Sequence, residues 1–206
     1  RSDVVEAIAV PLDLTLPAAD EILWNKLQEL NIDIDLLVNN AGFGSYGYFH
    51  EAVLEKQSEM IDLNVKAPVK LTHRCLQPMI RKNHGAILNV SSTSGFQALP
   101  FMATYAATKA FVTSFSLALS SELRATNIRV VALCPGRTRT GFQIAAGSGR
   151  IRIRSRKATV EQVVAVAIQA LAHGHTVAIE GYINKCALHL QRFFPRNFIL
   201  NIAYKI

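Results

Sequence analysis

The 206-residue sequence predicts an α/β fold, a doubly wound parallel sheet with helices on both faces, and three observations carry that expectation. Short β-rich runs alternate with longer segments of helical period along the chain. Three of the short runs, "DLLVNN", "GAILNV" and "IRVVALCP", are apolar almost throughout, which suits strands covered on both sides. Where the runs stop, the residues turn small or polar, and the carboxyl ends of strands are where such sheets collect their working groups.

The elements follow in order. A first strand is expected over Ala7 to Leu14, ending in "PLDLT", and a first helix over Ala18 to Leu30. The second strand, Leu36 to Asn39, ends in "NNAGFGSYG" and precedes one long helical segment, Leu54 to Lys82. The third, Ala86 to Val90, ends in "NVSSTSG" before a helix over Phe101 to Arg124. The fourth, Ile128 to Leu133, ends in "CPGRTRT"; a helix over Val160 to Ala172 and a strand over Thr176 to Ile179 follow. With no internal repeat and no low-complexity linker, residues 1–206 read as a single domain.

Composition narrows the function. Half of the residues are hydrophobic, enough for a sizeable core and too many for a disordered chain. The formal net charge is +7, but the basic residues concentrate in "GSGRIRIRSRK" and in the tail without a recognition motif, so no nucleic-acid partner is expected. Cys75, Cys134 and Cys186 are odd in number and scattered, which suits a reducing cytoplasm better than a disulfide framework, and His173-Gly-His175 reads as a helix-to-strand turn; no metal is expected. The uncharged runs Gly85 to Thr108 and Gln162 to Ile179 are interrupted by polar residues, so neither meets the demand for about 20 mostly apolar residues in a membrane span. In the tail, Pro195 divides a segment with Phe193, Phe194, Phe198, Ile199 and Ile202 on an apolar side among basic residues. Packing on its own core or across a subunit interface is favoured over contact with a membrane surface.

The stretch "YAATK" carries the sharpest chemical signal. On a helix Tyr105 and Lys109 share one face, and the alanines between them permit close packing. A phenol with its ordinary pKa of about 10 is a poor acid–base catalyst at neutral pH; a neighbouring ammonium favours the phenolate and lowers that value. A tyrosine tuned in this way can exchange a proton with an alcohol or carbonyl oxygen. A chance Tyr-x-x-x-Lys is not rare, and "NNAG", "NVSS" and "CPG" each have an ordinary reading as a turn, a cap or a strand exit.

Together the motifs resemble the classical short-chain dehydrogenase/reductase family, from Asp13 to about Tyr182. Asp13, Asn39-Asn40-Ala41-Gly42, Asn64 in "DLNV", Ser92, Tyr105-x-x-x-Lys109 and Pro135-Gly136 followed by Thr140 stand in that family's order and spacing. The resemblance implies a Rossmann-like sheet and a hydride transfer between NADP or NAD and a small-molecule carbonyl or alcohol, such as a ketone or acyl substrate. It implies that Tyr105 is the general acid or base, that Lys109 depresses its pKa and holds the nicotinamide ribose, that Ser92 holds the substrate oxygen, and that Asn64 positions a water. It also implies that Asp13 meets the adenine amine, that Asn40, Ala41 and Gly42 border the adenosine ribose, and that Pro135, Gly136, Thr138 and Thr140 flank the nicotinamide. Residues 137–158 would form the substrate lid, with Arg150, Arg152, Arg154, Arg156 and Lys157 in a solvated loop or, less favoured, gripping an anionic handle on the substrate such as a carrier-protein or coenzyme A phosphate. Phe96, Leu99, Phe142 and Ile144 would offer an apolar substrate wall, residues 183–206 would be a C-terminal extension, and the long helices would form a homo-oligomer interface.

One departure stands out. The family's opening strand, Gly-x-x-x-Gly-x-Gly turn and helix, which bind pyrophosphate, have no counterpart before Asp13. The expectation is therefore an N-terminally truncated member lacking the first two strands, a loss of roughly 40 to 55 residues since a βαβ unit takes 30 or more. Such a chain would bind dinucleotide poorly, and a non-catalytic binding form is the alternative reading. The residue that chooses between NAD and NADP would lie in the missing part.

Overall fold

The computed structural model describes residues 5–147 and 157–205. Its centre is a parallel sheet of four strands in the order β1-β2-β3-β4: β1 (Leu36–Asn39), β2 (Gly85–Val90), β3 (Ile128–Cys134) and β4 (Val177–Ile179). Leu36 pairs with Ala86, Ala86 with Arg129, and Ala132 with Val177, so the carboxyl ends of the strands open on one side.

Alternation along β2 and β3 feeds a core on each face. On one face Leu88, Val131 and Leu133 pack with Val163, Ala167 and Ala170 of α6 (Val160–His173). On the other, Ile87, Ile128 and Val130 pack with Cys75 and Met79 of α3 (Ala67–Lys82) and with Leu119 of α4 (Ala103–Glu122). The start of α6 is set by a reciprocal cap, in which the Thr159 side chain accepts from Gln162 N and the Gln162 side chain accepts from Thr159 N; its end is set by Gly174 in the left-handed conformation. Helix α1 (Ala19–Glu29) is tied to α3 by Asp20, which accepts from Lys70 Nζ at 3.1 Å and Arg74 Nε at 2.5 Å.

One expectation is corrected and a second gains detail. Ala7 to Leu14 is not a strand: the segment carries no ladder and is largely exposed. A strand is stable only with a hydrogen-bonded neighbour and a face to bury, and the outer edge of the sheet, β1, instead presents Leu36 and Val38 to solvent at 46% exposure each. The segment Leu54 to Lys82 is helical throughout but not one regular helix. Between α2 (Leu54–Ile61) and α3, residues Asp62–Lys66 form a π-helical stretch. Pro68 supplies a local reason, because it has no N–H to give to the carbonyl of Asn64 four residues earlier.

The remaining elements surround the carboxyl edge. A short α5 (Phe142–Ala145) follows β3, while α7 (Tyr182–Leu190) and α8 (Arg196–Lys205) form the tail. The basic positions Arg150, Arg152, Arg154 and Arg156 fall outside the described residues; Lys157 is exposed. Both ends of that loop are tied, since Ala158 N donates to Arg137 O and Arg139 N to Ala158 O, each at 2.9 Å. Among the described residues no helix is long and apolar enough to cross a membrane, and no group of His, Cys, Asp or Glu is arranged to hold a metal.

Gly95 marks the tightest packing between the loop after β2 and α4. A Cβ there would stand 2.7 Å from the carbonyl carbon and oxygen of Lys109 and 2.9 Å from Ala110 N, all backbone atoms. Gly95→Ala is expected to destabilise the chain by roughly 1–3 kcal/mol through overpacking, read as a lower urea midpoint at unchanged slope.

Candidate active site

Ser92, Tyr105 and Lys109 converge where β2 ends against α4. The backbone of Ser92 is extended and its Oγ accepts from Ser94 N at 3.1 Å, which caps the turn Thr93–Phe96. Tyr105 and Lys109 lie one helical turn apart and are both buried, with Lys109 Nζ 5.9 Å from the centroid of the tyrosine ring. Lys109 Nζ donates to Val90 O at 2.8 Å, so the ammonium reaches across to the end of β2. Ser91 Oγ donates to the Lys109 carbonyl at 2.8 Å and also pairs with Thr113 Oγ1 at 2.7 Å, fixing the helix against that strand end.

Electrostatics reverses one sequence expectation. Burial pushes the Tyr105 phenol above its usual value of 10.0, and a hydrogen bond with Ser92 pulls it partly back. Burial lowers the Lys109 ammonium to about 8. Cys134 beneath it is itself raised to about 11 by burial. The expected lowering of the phenol by Lys109 does not emerge: burial is the leading cause of both shifts, and removal from water penalises the charged form of each group.

Asn64 is a clasp. Its Nδ2 donates to Phe43 O at 2.9 Å and to Thr108 Oγ1 at 3.1 Å, while its Oδ1 accepts from Phe43 N at 3.1 Å. One buried amide therefore holds the loop after β1, the π-helical stretch and α4 together. A π turn widens the backbone locally and re-aims such a residue, and π segments recur at functional sites. The neighbouring Gly42 is required by this approach, because a Cβ there would come 2.8 Å from Asn64 Oδ1 and 3.5 Å from Lys109 Nζ.

Two chambers meet at Tyr105. The first, about 580 Å³, is bordered by Asn40 and Gly42 on one side and Pro135, Gly136, Thr138 and Thr140 on the other, with Lys109 between them. The second, about 420 Å³, includes Leu99 and Phe142. Ser92, Tyr105, Gly136, Phe142 and Gln143 line both. Phe142 stands against Tyr105 at 5.3 Å between ring centroids.

Other sequence candidates lie elsewhere. Asp13 is exposed outside both chambers, its Oδ1 accepting from Thr15 N at 2.9 Å and Thr15 Oγ1 at 2.7 Å, and these bonds hold its carboxyl below the usual value. Ala41 is exposed next to Asn40 without lining the cavity. Phe96 lines neither chamber; partly buried, it packs against the core formed by Ala132, Cys134, Ile179 and Leu188, and with Leu99 it borders a separate cavity of about 880 Å³. Ile144 is 80% exposed and lines neither chamber.

A profile of the family described as short chain dehydrogenase matches residues 2–150. The chain belongs to the short-chain dehydrogenase family. Among curated members, the very-long-chain 3-oxoacyl-CoA reductase of Laccaria bicolor is 40% identical over 116 residues, 54% of this chain and 34% of that protein. The NADP-dependent 3-hydroxy acid dehydrogenase of Escherichia coli strain K12 is 40% identical over 126 residues, 61% of this chain and 51% of that protein. The chain thus spans only about a third to a half of these relatives. A solved short-chain dehydrogenase from Sphingobium yanoikuyae in complex with NADPH superposes with a TM-score of 0.75 at 28% identity, covering 89% of this chain and 74% of that one.

Several positions of this family member escaped sequence reasoning. Asn184 of α7 lies against Gly136 and lines the second chamber, as do Gln143 and Phe101. Phe101 has a left-handed backbone (φ 66°) and its ring stands between Tyr46, at 5.7 Å, and Tyr204 of α8, at 5.5 Å. Neither spacing nor composition marks such residues, because they meet the site only through the fold; the buried Asn64 was found by its motif, but not its clasp.

Lys109 gives a pH signature. Its folded pKa lies below the unfolded value of 10.5, so the unfolded chain binds more protons between about pH 8 and 10.5. The cost of the buried charge is fully present below about pH 8 and relieved as pH rises towards 10.5, on the order of 3 kcal/mol in all. Denaturant midpoints are expected to rise over that window in the wild type, and this component is expected to vanish in Lys109→Met. Asn64→Ala, which strips the Phe43 N–H and carbonyl of their partners, is expected to cost roughly 2–4 kcal/mol in the same measurement.

Proposed function

We propose that the chain supplies the catalytic half of an NADP- or NAD-dependent oxidoreductase that reduces a carbonyl, or oxidises the corresponding alcohol, on a small-molecule substrate. The observation that carries the reading is the position of Tyr105 between two chambers, with Ser92 beside it and the Lys109 ammonium on one side only.

The larger chamber fits the nicotinamide and ribose half of a dinucleotide. Gly42 keeps the approach to Lys109 open, and Thr138, Thr140 and Asn40 supply hydrogen-bonding groups round it. Bound there, the nicotinamide supplies or accepts the hydride. The relatives named for NADP and the NADPH-bound structure favour NADP. The smaller chamber is the substrate side.

In the reductive direction the substrate carbonyl oxygen accepts hydrogen bonds from Ser92 Oγ and the Tyr105 hydroxyl. Burial keeps the phenol protonated at neutral pH, so it has a proton to give to the developing alkoxide. Ser92 stabilises charge on that oxygen during transfer. The phenolate left behind is stabilised by the Lys109 ammonium, whose orientation the Val90 carbonyl and the Asn64 clasp maintain. The same groups run the oxidation in reverse, with the phenolate as base.

A homo-oligomer through α4 belongs to the same reading, supported by the exposure of Phe111 and Leu117 and the stacking of Phe111 on Phe115. The free thiols of Cys75, Cys134 and Cys186 fit a reducing compartment such as the cytoplasm.

Tyr105→Phe, made in the full-length protein, is expected to lower carbonyl reduction by roughly 10²–10⁴-fold with dinucleotide binding retained, measured as NADPH oxidation across a ketone panel. Near-normal turnover in that variant would overturn the assignment. Reduction by the wild type is expected to decline as pH rises through about 8, where Lys109 loses the charge that stabilises the phenolate; a rate flat to pH 10 would contradict it.

A further inference from the structure

The tail beyond β4 combines one sign of charge with uncovered apolar surface. From Gly181 to Ile206 the chain holds Lys185, Arg192, Arg196 and Lys205 and neither Asp nor Glu. All four cations are exposed. Among them Phe193 is 83% exposed, and Phe194, Phe198 and Ile202 are exposed at 42%, 48% and 44%. We infer that this face docks the protein on an anionic lipid bilayer, its aromatic and aliphatic side chains entering the headgroup boundary and its basic ones meeting lipid phosphates. The inference stands apart from the chemistry at Tyr105.

The exposed apolar groups run in a line. Phe198 and Ile202 stand one turn apart on α8, and Phe194 stacks on Phe198 at 5.2 Å between ring centroids. Pro195 sets the start of this helix, because its carbonyl accepts from Phe198 N at 3.0 Å and Ile199 N at 3.3 Å. Another side of α8 is fastened to the body: Ala203 lines the chamber at Tyr105, and the Tyr204 ring stands 5.5 Å from Phe101. The sequence favours packing of the tail's apolar side on the chain's own core or across a subunit interface. Of that side, Phe194 and Ile199 border the cavity of about 880 Å³ behind the tail, whereas Phe193, Phe198 and Ile202 remain exposed.

Charge decides the occupant. A second copy of the chain, applied through the same face about a two-fold axis, would set cation against cation, since such a contact is self-complementary. The tail also follows β4, at the opposite edge of the sheet from β1, where the family's opening strands would add. An anionic bilayer matches both properties of the face. Interfacial helices lay aromatic and aliphatic groups against the acyl boundary while Lys and Arg reach the headgroups. Each basic residue near such a surface strengthens binding roughly fivefold. No described helix is long and apolar enough to cross the bilayer, so the contact is with its surface.

The test is co-sedimentation of the full-length protein with phosphatidylcholine vesicles, with and without phosphatidylglycerol. Binding to the anionic vesicles is expected to be on the order of tenfold tighter or more, and to weaken as salt rises. Arg192→Gln with Arg196→Gln is expected to weaken it roughly 25-fold, and an equal loss of charge in Lys26→Gln with Lys82→Gln by less than about twofold. Phe193→Ser with Phe198→Ser is expected to weaken it on the order of tenfold, with urea midpoints compared so that only folded protein is scored. Phe193→Trp reports insertion directly: relative to the parent protein, its added emission is expected to shift to the blue on anionic vesicles. Equal binding to both vesicles, an equal loss from the Lys26 and Lys82 pair, or an unshifted tryptophan would overturn the inference. So would sedimentation velocity showing that the Phe193 and Phe198 pair dissolves an oligomer while vesicle binding persists, because the face would then join copies of the chain.

Discussion

A lysine ammonium buried at the end of a strand is the constraint that the surrounding structure accommodates. Water is the best solvent for that charge, and its removal lowers the Lys109 pKa to about 8. The compensation is local: the Val90 carbonyl takes a hydrogen bond from Nζ, and Ser91 and Thr113 secure the backbone of the same helical turn. Close approach then becomes a requirement. Gly95 brings the loop after β2 onto the Lys109 backbone, and Gly42 leaves room beside Nζ and Asn64. A core of ordinary residues would be more stable without the charge; its retention is intelligible if the charge serves the phenol beside it.

The polar groups beneath the site form a connected set. Asn39 on β1 donates to Asn89 on β2 at 2.8 Å and to Thr72 of α3 at 3.2 Å, while Asn89 donates to Ser116 of α4 at 2.9 Å. Asn64 performs the corresponding task one layer nearer the chambers. These amides lie where apolar side chains would pack equally well, yet only a satisfied network holds β1, β2, α3 and α4 in one register. Tyr105 and Ser92 inherit their positions from it. Dispersion and burial on the two faces of β2 and β3 stabilise the sheet; the polar network fixes how its carboxyl edge is arranged.

Much of this was legible in the sequence where the signal was local or periodic. Four strands, the long helices and the Tyr105/Lys109 pair follow from apolar runs, helical period and an i, i+4 spacing. Ala7 to Leu14 failed because strand pattern is only half of a strand: the other half is a neighbour, which no window of residues contains. The π-helical stretch inside Leu54 to Lys82 was hidden because it keeps the amphipathic pattern while changing the hydrogen-bond step. Phe96 and Leu99 look alike as apolar residues in one loop, yet only Leu99 also reaches the chamber at Tyr105, while Phe96 leans on the core of Ala132, Cys134, Ile179 and Leu188. The direction of the Tyr105 shift was missed for a related reason, since sequence shows the ammonium beside the phenol but not how far both are removed from water.

The most direct test of the central claim is to read the protonation of the two buried groups themselves. Tyrosine ¹³Cζ and lysine ¹³Cε resonances would be followed by NMR from pH 6 to 11, with Tyr105→Phe and Lys109→Met as assignments. The account predicts that Lys109 titrates near 8 while Tyr105 remains protonated beyond pH 10. A Lys109 that titrates above 10, or a Tyr105 that ionises below 9, would contradict the buried phenol–ammonium pair on which the proposed chemistry stands.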